Sequence, residues 1–149
     1  MRLADHPSPI GLRVSCCCWL LVIAVSLLSG CAVPAVKPTT YSVSTQEADL
    51  PAGSVRFDLY RPIIQSRPAP LVVVAHGLWR DRTHMAGWGR RLAQQGFVVA
   101  IPDMPTLADY PHNARFINEL VEALCDGSID PSCKVDSNRI GLIGLSAGG

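Results

Sequence analysis

Two short runs of consecutive apolar residues, 71–75 and 97–101, constrain the fold of this chain more than any other feature. They read Leu-Val-Val-Val-Ala and Phe-Val-Val-Ala-Ile, and proline or glycine stands close to both ends of each. A continuous β-branched run of this length is typical of a strand buried on both faces of a parallel sheet. Helical spacing follows both runs, and a further strand is predicted at 139–145. The order strand, helix, strand, helix, strand predicts an α/β fold with a parallel sheet flanked by helices in three layers.

The neighbouring segments fit this alternation. Residues 55–60 alternate apolar and polar side chains, which predicts a half-buried strand. The first helix is predicted to be capped by Thr83 and stopped by Gly96, and the second to follow Pro111. The residues expected on the inner faces are Met85, Trp88 and Leu92 in the first helix, and Phe116, Ile117, Leu120, Val121 and Leu124 in the second.

The predicted last strand runs into a Gly-x-Ser-x-Gly motif, Gly144 to Gly148 with Ser146 at its centre. A strand before this motif is the context in which the serine becomes a nucleophile on a sharp, strained turn toward a helix. Glycine is expected at Gly144 and Gly148 because side chains there would collide with the neighbouring strand and helix. The alternative is an ordinary glycine-rich turn with an inert serine.

His76-Gly77-Leu78 directly follows the first apolar run, and Asp-Ser-Asn-Arg-Ile-Gly at 136–141 leads toward Ser146. With the serine motif, this arrangement over residues 55–149 resembles the α/β-hydrolase superfamily, in particular its dienelactone-hydrolase-like and acetylhydrolase-like members.

The resemblance implies that Ser146 is the nucleophile and that the backbone N–H groups of Leu78 and Ala147 form the oxyanion hole. His76 and Gly77 would shape the loop, while Gly144 and Gly148 support the turn. Since α/β-hydrolases run in the order serine, acid, histidine, the acid and the base are expected beyond residue 149. Residues 51–149 are therefore predicted to be the N-terminal part of the domain, inactive alone. The chemistry requires no cofactor and no metal.

The N-terminus has the pattern of a secretory signal over residues 1–30. Arg2 and Arg13 precede an apolar run at 19–28 that is too short to span a bilayer. Leu-Ser-Gly before Cys31 resembles the lipobox of bacterial lipoproteins, which implies cleavage before Cys31 and a lipid anchor on its thiol. A plain secretory signal or an uncleaved anchor is the alternative. Residues 31–50, rich in Pro, Ser and Thr, are predicted to be a tether.

Charge and cysteines complete the prediction. Without residues 1–30 the chain keeps eleven basic and eleven acidic residues and has no basic cluster, which argues against nucleic acid as a partner. In an oxidising envelope, Cys125 and Cys133 are expected to form a disulfide, with two unpaired thiols as the alternative. Neither has a histidine at the spacing of a zinc site.

These features together predict a serine hydrolase of ester-like substrates in the bacterial cell envelope, attached to the membrane through Cys31. Secretion is the alternative location. Two alternative functions remain: an envelope lipoprotein or pseudoenzyme that uses the scaffold for binding, and the product of an inactive gene fragment.

Overall fold

A computed structural model describes residues 38–148, which contain one five-stranded sheet. The predicted signal peptide, Cys31 and Gly149 lie outside the described residues. No helix within 38–148 is long and apolar enough to cross a membrane. The strands are β1 (Tyr41–Leu50), β2 (Gly53–Pro62), β3 (Ala69–Ala75), β4 (Val98–Pro102) and β5 (Val135–Gly144); the α-helices are α1 (Ala86–Ala93) and α2 (Tyr110–Cys125); 3₁₀ turns span Arg82–Met85 and Ser146–Gly148.

The sheet has the order β1-β2-β4-β3-β5 and is mixed. Strands β4, β3 and β5 are parallel, as predicted, whereas β1 pairs antiparallel with β2 and β2 antiparallel with β4. The predicted parallel sheet thus comprises β4, β3 and β5, and β1 and β2 extend it as antiparallel strands. An antiparallel pair needs only a tight turn between its strands, and a two-residue turn at 51–52 joins β1 to β2.

The predicted tether is wrong over 41–50, because these residues form β1. Each of its ten residues is in register with a residue of β2, from Tyr41 opposite Pro62 to Leu50 opposite Gly53. Most of its side chains are polar and only partly buried, so the strand has little apolar pattern of its own. Residues 41–50 form a strand because their backbone pairs with β2, and the composition of a segment does not predict such pairing.

Each face of the sheet carries its own core, which gives the predicted three layers. One core includes α2, and the other includes the helical segment that follows β3. The first comprises Val55, Phe57, Leu59, Ala69, Leu71, Val73, Val98, Ala100, Phe116, Leu120, Leu124 and Cys133. The second comprises Tyr60, Val72, Val74, Met85, Ala93, Val99 and Ile101.

The inner face of α2 is as predicted. Phe116, Leu120 and Leu124 are buried, and Ile117 and Val121 are half-buried. Asp109 caps the helix through its side chain, which accepts from the backbone of His112.

The first helical segment begins one turn earlier than α1, and its cap is Asp81 rather than Thr83. The Asp81 carboxylate accepts hydrogen bonds from the backbone N–H groups of Thr83 and His84, at 2.9 and 3.4 Å. The Thr83 hydroxyl donates to the same carboxylate, so it is a partner of the cap. A carboxylate satisfies the free N–H groups of a helix start well, because it carries two acceptor oxygens.

The inner face of this helical segment is as predicted at Met85, which is buried, and at Leu92, which is half-buried against the same core, but not at Trp88. Met85, Gly89 and Ala93 are buried, whereas Trp88 is 50% exposed. A Cβ at Gly89 would lie 2.5 Å from the ring of Tyr60. The helix thus approaches the sheet on its smallest residue, a preference that hydrophobic periodicity alone does not reveal.

Both predicted disulfide partners are free thiols in the structure, so the expected Cys125–Cys133 bond is not formed. Cys133 is buried in the α2 core, and Cys125 is half-buried against the same cluster. Burial raises the pKa of Cys133 to about 11 and also raises that of Cys125. Each thiol packs as a small apolar group, which a buried cysteine does well without a partner.

Candidate active site

The turn after β5 places Ser146 in a strained backbone conformation at the carboxyl edge of the sheet. Leu145 N–H donates to the Ala75 carbonyl at 3.1 Å, which ties the strand end to β3. Ser146 then has φ +53°, and Gly148 N–H closes the 3₁₀ turn on the Leu145 carbonyl at 3.0 Å. A left-handed non-glycine residue costs about 1–3 kcal/mol and persists where the surroundings enforce it, often at functional sites. The side chain of Ser146 is exposed.

Two glycines let this turn lie directly against the loop after β3. A Cβ at Gly77 would lie 2.7 Å from the Leu145 carbonyl oxygen and 3.2 Å from the Ser146 Cβ. One at Gly148 would lie 2.5 Å from the His76 carbonyl oxygen. These contacts are with backbone atoms that cannot swing aside, so any side chain would separate the two segments. The predicted reason for glycine thus applies to Gly148, and Gly77 has the same role across the contact.

The loop formed by residues 77–81 carries one of the two predicted oxyanion donors. Leu78 and Ala147 line the same cavity, about 160 Å³ in volume. Arg80 N–H donates to the Gly77 carbonyl at 3.2 Å, which closes a turn with Trp79 at φ +59°. Trp79 is 79% exposed. The structure therefore brings the two predicted donors to one pocket, beside a second strained residue that sequence reasoning missed.

His76 holds this loop and has no ring nitrogen left for proton transfer. The backbone N–H of Met104 donates to its Nε2 at 2.9 Å, so Nε2 is unprotonated. Nδ1 then carries the proton and donates to the Gly77 carbonyl at 3.0 Å. The ring is 9% exposed. This geometry fits the loop-shaping role predicted for His76 rather than that of a catalytic base.

A second set of polar contacts lies where the loop ends, and the sequence did not point to it. The Arg82 guanidinium donates to Asp103 Oδ2 at 2.7 Å and to Asp58 Oδ1 at 3.1 Å. Asp103 directly follows β4. The pairing joins residues 21 and 24 positions apart, so it depends on strand order and not on a local motif.

Within residues 38–148, no side chain is hydrogen-bonded to the Ser146 hydroxyl. His84 contacts Asp81, whose pKa is held well below its ordinary value by hydrogen bonds from Thr83 and then from His84. The same part of the chain contains no group of three or more His, Cys, Asp or Glu side chains that could hold a metal ion. Gly144, the other predicted support, pairs with Ala75 at the end of β5.

Comparison with known proteins gives a family that agrees with this geometry. A family model described as PET hydrolase-like matches residues 30–149. The bis(hydroxyethyl) terephthalate hydrolase of Streptomyces coelicolor is 38% identical over 80 residues, which are 52% of this chain and 25% of the relative. The matched segment therefore spans about a quarter of that curated relative's length. Since the family model covers most of the sequence and the sheet has the matching architecture, the resemblance is confirmed: the chain belongs to the PET hydrolase-like family of α/β-hydrolases.

Proposed function

We propose that this protein is an ester hydrolase in which Ser146 is the nucleophile. The observation that carries the proposal is the conformation of Ser146: φ +53° on an exposed turn packed against residues 75–77. A serine needs such a turn to present its hydroxyl at the sheet edge. The family match and the terephthalate-ester hydrolase relative support the same reaction class.

In the proposed reaction, Ser146 Oγ attacks the ester carbonyl carbon and its proton passes to a general base. The carbonyl oxygen becomes an oxyanion, which the N–H groups of Leu78 and Ala147 stabilise in the pocket that both residues line. Collapse expels the alcohol and leaves an acyl-serine, and water then releases the acid. Since both ring nitrogens of His76 are engaged, we assign the base to a part of the protein outside residues 38–148.

We propose an ester with an apolar, aromatic acyl group as the substrate. The relative's name specifies a terephthalate ester. The cavity that contains Leu78 and Ala147 is also lined by Leu107, and the two leucines are 43% and 53% exposed. Exposed apolar side chains that line a pocket favour an apolar substrate group, because its binding removes both surfaces from water.

We further propose that the protein acts in the bacterial cell envelope, attached through a lipid on Cys31. The order of charge, apolar run and small residues before Cys31 supports this location.

The function is tested on the protein expressed from its own gene with a fluorophosphonate probe and with bis(hydroxyethyl) terephthalate. Ser146→Ala is expected to abolish labelling and to lower hydrolysis at least about a thousandfold. Ser137→Ala, at an exposed position of β5, is the matched control and is expected to change neither. Labelling or hydrolysis that survives in Ser146→Ala contradicts the proposal. A folded wild-type protein that neither labels nor hydrolyses the ester would favour a scaffold used for binding.

A further inference from the structure

The loop of residues 77–81 holds a predicted oxyanion donor, yet little of it is fixed by packing. Leu78, Trp79 and Arg80 are all exposed, at 43% and 79% for the first two. Its internal hydrogen bond runs from Arg80 N–H to the Gly77 carbonyl at 3.2 Å, and Trp79 is strained. An oxyanion donor contributes to catalysis only when its direction is set before the reaction. Some other part of the molecule must therefore fix this loop.

The two ends of the loop are held by two consecutive residues after β4: Met104 holds the start and Asp103 holds the end. At the start, His76 Nε2 accepts from Met104 N–H at 2.9 Å. At the end, the Arg82 backbone N–H donates to Asp103 Oδ1 at 2.9 Å while the guanidinium donates to Oδ2 at 2.7 Å. Asp103 thus holds Arg82 through both carboxylate oxygens, in charge-assisted bonds of fixed geometry.

The Asp103 anchor is itself held to the sheet. Its backbone N–H donates to the Arg56 carbonyl of β2 at 2.9 Å. Arg82 also reaches Asp58 of β2, which accepts from the Thr45 hydroxyl of β1 at 2.8 Å. The side chains of Arg82, Asp58 and Asp103 are 19%, 12% and 34% exposed, so water screens these contacts less than a surface pair.

We propose that Arg82 is a positioning residue of the esterase, acting through Asp103 to hold the 77–81 loop where Leu78 N–H meets the developing oxyanion. The inference rests on the proposed function. Asp58 accepts from Nε of the guanidinium, whereas Asp103 accepts from a terminal nitrogen, and Asp58 makes no hydrogen bond to the loop backbone. Loss of the Asp103 contact therefore releases the loop, whereas loss of the Asp58 contact does not.

The test uses the protein expressed from its own gene and compares an ester with its thionoester, in which sulfur replaces the carbonyl oxygen. An oxyanion hole prefers oxygen, so the ratio of the two kcat/KM values reports donor geometry. A variant that merely lowers the folded fraction reduces both rates equally and leaves the ratio unchanged. Arg82→Met is expected to lower kcat for the ester by about tenfold to a hundredfold with KM little changed. The oxygen-to-sulfur ratio is expected to fall by about tenfold.

Asp58→Asn is the matched control, since it perturbs the same ion pair but is expected to keep the wild-type ratio. Arg82→Lys keeps the charge and should recover part of the ratio. If Arg82→Met does not fold, Asp103→Ala removes the guanidinium contact together with the hydrogen bond to the backbone N–H of residue 82, and it must give a fall at least as large. A wild-type ratio in folded Arg82→Met or Asp103→Ala overturns the inference alone, because Ser146-dependent hydrolysis remains. Wild-type protein without Ser146-dependent hydrolysis overturns both the inference and the proposed function.

Discussion

Gly148 lies so close to the end of β3 and to His76 that there is no room for a Cβ at this position. A Cβ there would lie 2.5 Å from the His76 carbonyl oxygen and 2.7 Å from that of Ala75. We expect Gly148→Ala to lower the free energy of unfolding by about 1–3 kcal/mol, the usual effect of overpacking. Gly141→Ala is the control on β5, where the nearest atom would be a Val72 methyl at 3.8 Å. Urea unfolding followed by circular dichroism measures both; equal stability of the two variants would contradict the contact.

Trp79 permits a test of backbone strain separate from side-chain packing. Its φ of +59° is unfavourable for any residue with a Cβ, and its side chain is 79% exposed. We expect Trp79→Gly to be more stable than Trp79→Ala by about 1 kcal/mol, since both lose the same ring but only glycine relieves the strain. The midpoint temperatures of thermal unfolding of the glycine and alanine variants measure the difference. An alanine variant as stable as the glycine variant would show that the turn relaxes.

The proposed nucleophile and the glycine of its turn could be predicted from the sequence because their geometry is local. The turn that strains Ser146 is built by its immediate neighbours, and Gly148 lies within the same motif. The Arg82–Asp103 contact has no such signal. It forms because β3 and β4 are adjacent and parallel, so that the loops after them meet at one edge of the sheet.

Among the elements, α1 contains two glycines with opposite surroundings. Gly89 faces the Tyr60 ring, 2.5 Å from where a Cβ would lie, and that ring is buried at 4% exposure. Gly87 has nothing within 4 Å of its Cβ position. We expect Gly89→Ala to destabilise the protein by about 1–3 kcal/mol through overpacking. Gly87→Ala should stabilise it by up to about 1 kcal/mol, through helix propensity.

Chemical denaturation of the two variants gives the comparison. Helix propensity favours alanine over glycine at both positions. A loss of stability in Gly89→Ala beside a gain in Gly87→Ala would therefore be due to packing against Tyr60 and not to helix propensity. A stabilised Gly89→Ala would mean that the helix shifts away from Tyr60 at no cost.

The contribution of the helix cap at Asp81 to the stability of the protein is expected to depend on pH. Hydrogen bonds from Thr83 and then from His84 hold the pKa of this carboxylate far below its ordinary value of 3.8. A lowered pKa in the folded state means that the folded state binds the proton less readily than the unfolded state. The stabilisation is then complete above pH 3.8 and is lost as the pH falls below it.

Asp81→Asn keeps the shape of the capping side chain but removes the carboxyl group that binds a proton. The stability difference between wild type and this variant is therefore expected to shrink as the pH falls from 5 to 2, about the range in which such a group binds its proton. Urea midpoints at several pH values measure the difference. A difference that stays constant with pH would contradict the role of the carboxylate.

Strand β1 shows where reading elements from sequence fails. Residues 41–50 have few apolar side chains, and a polar segment of this kind favours the prediction of a tether. A strand at the edge of a sheet needs only one partner and tolerates polar side chains on its open faces. The buried strands β3 and β4 were predictable because burial on both faces demands an apolar run.

For the whole molecule, the sheet order explains why the site forms at one edge. Parallel β4, β3 and β5 end side by side, and their loops carry Asp103, the 77–81 loop and Ser146 in that order. Leu78, Asp103 and Ala147 thus line one cavity although they lie on three separate segments of the sequence. This arrangement is formed by residues within 38–148, whereas the proposed lipid anchor is at Cys31, so hydrolysis and membrane attachment can be tested separately.

Membrane attachment is expected to depend on Cys31 alone. Buried acyl chains contribute about 0.8 kcal/mol per methylene, so several chains on one residue hold a protein firmly to a bilayer. Cys31→Ser is expected to move the protein from the membrane pellet to the soluble fraction and to abolish incorporation of labelled palmitate. Esterase activity per molecule should persist, because Cys31 lies outside the residues that form the Ser146 turn. Cys125→Ser is the control and should leave both the pellet and the label unchanged. Retention of Cys31→Ser in the membrane with its label intact would contradict the lipid anchor, whereas loss of the label with full retention would point to an uncleaved apolar segment at 19–28.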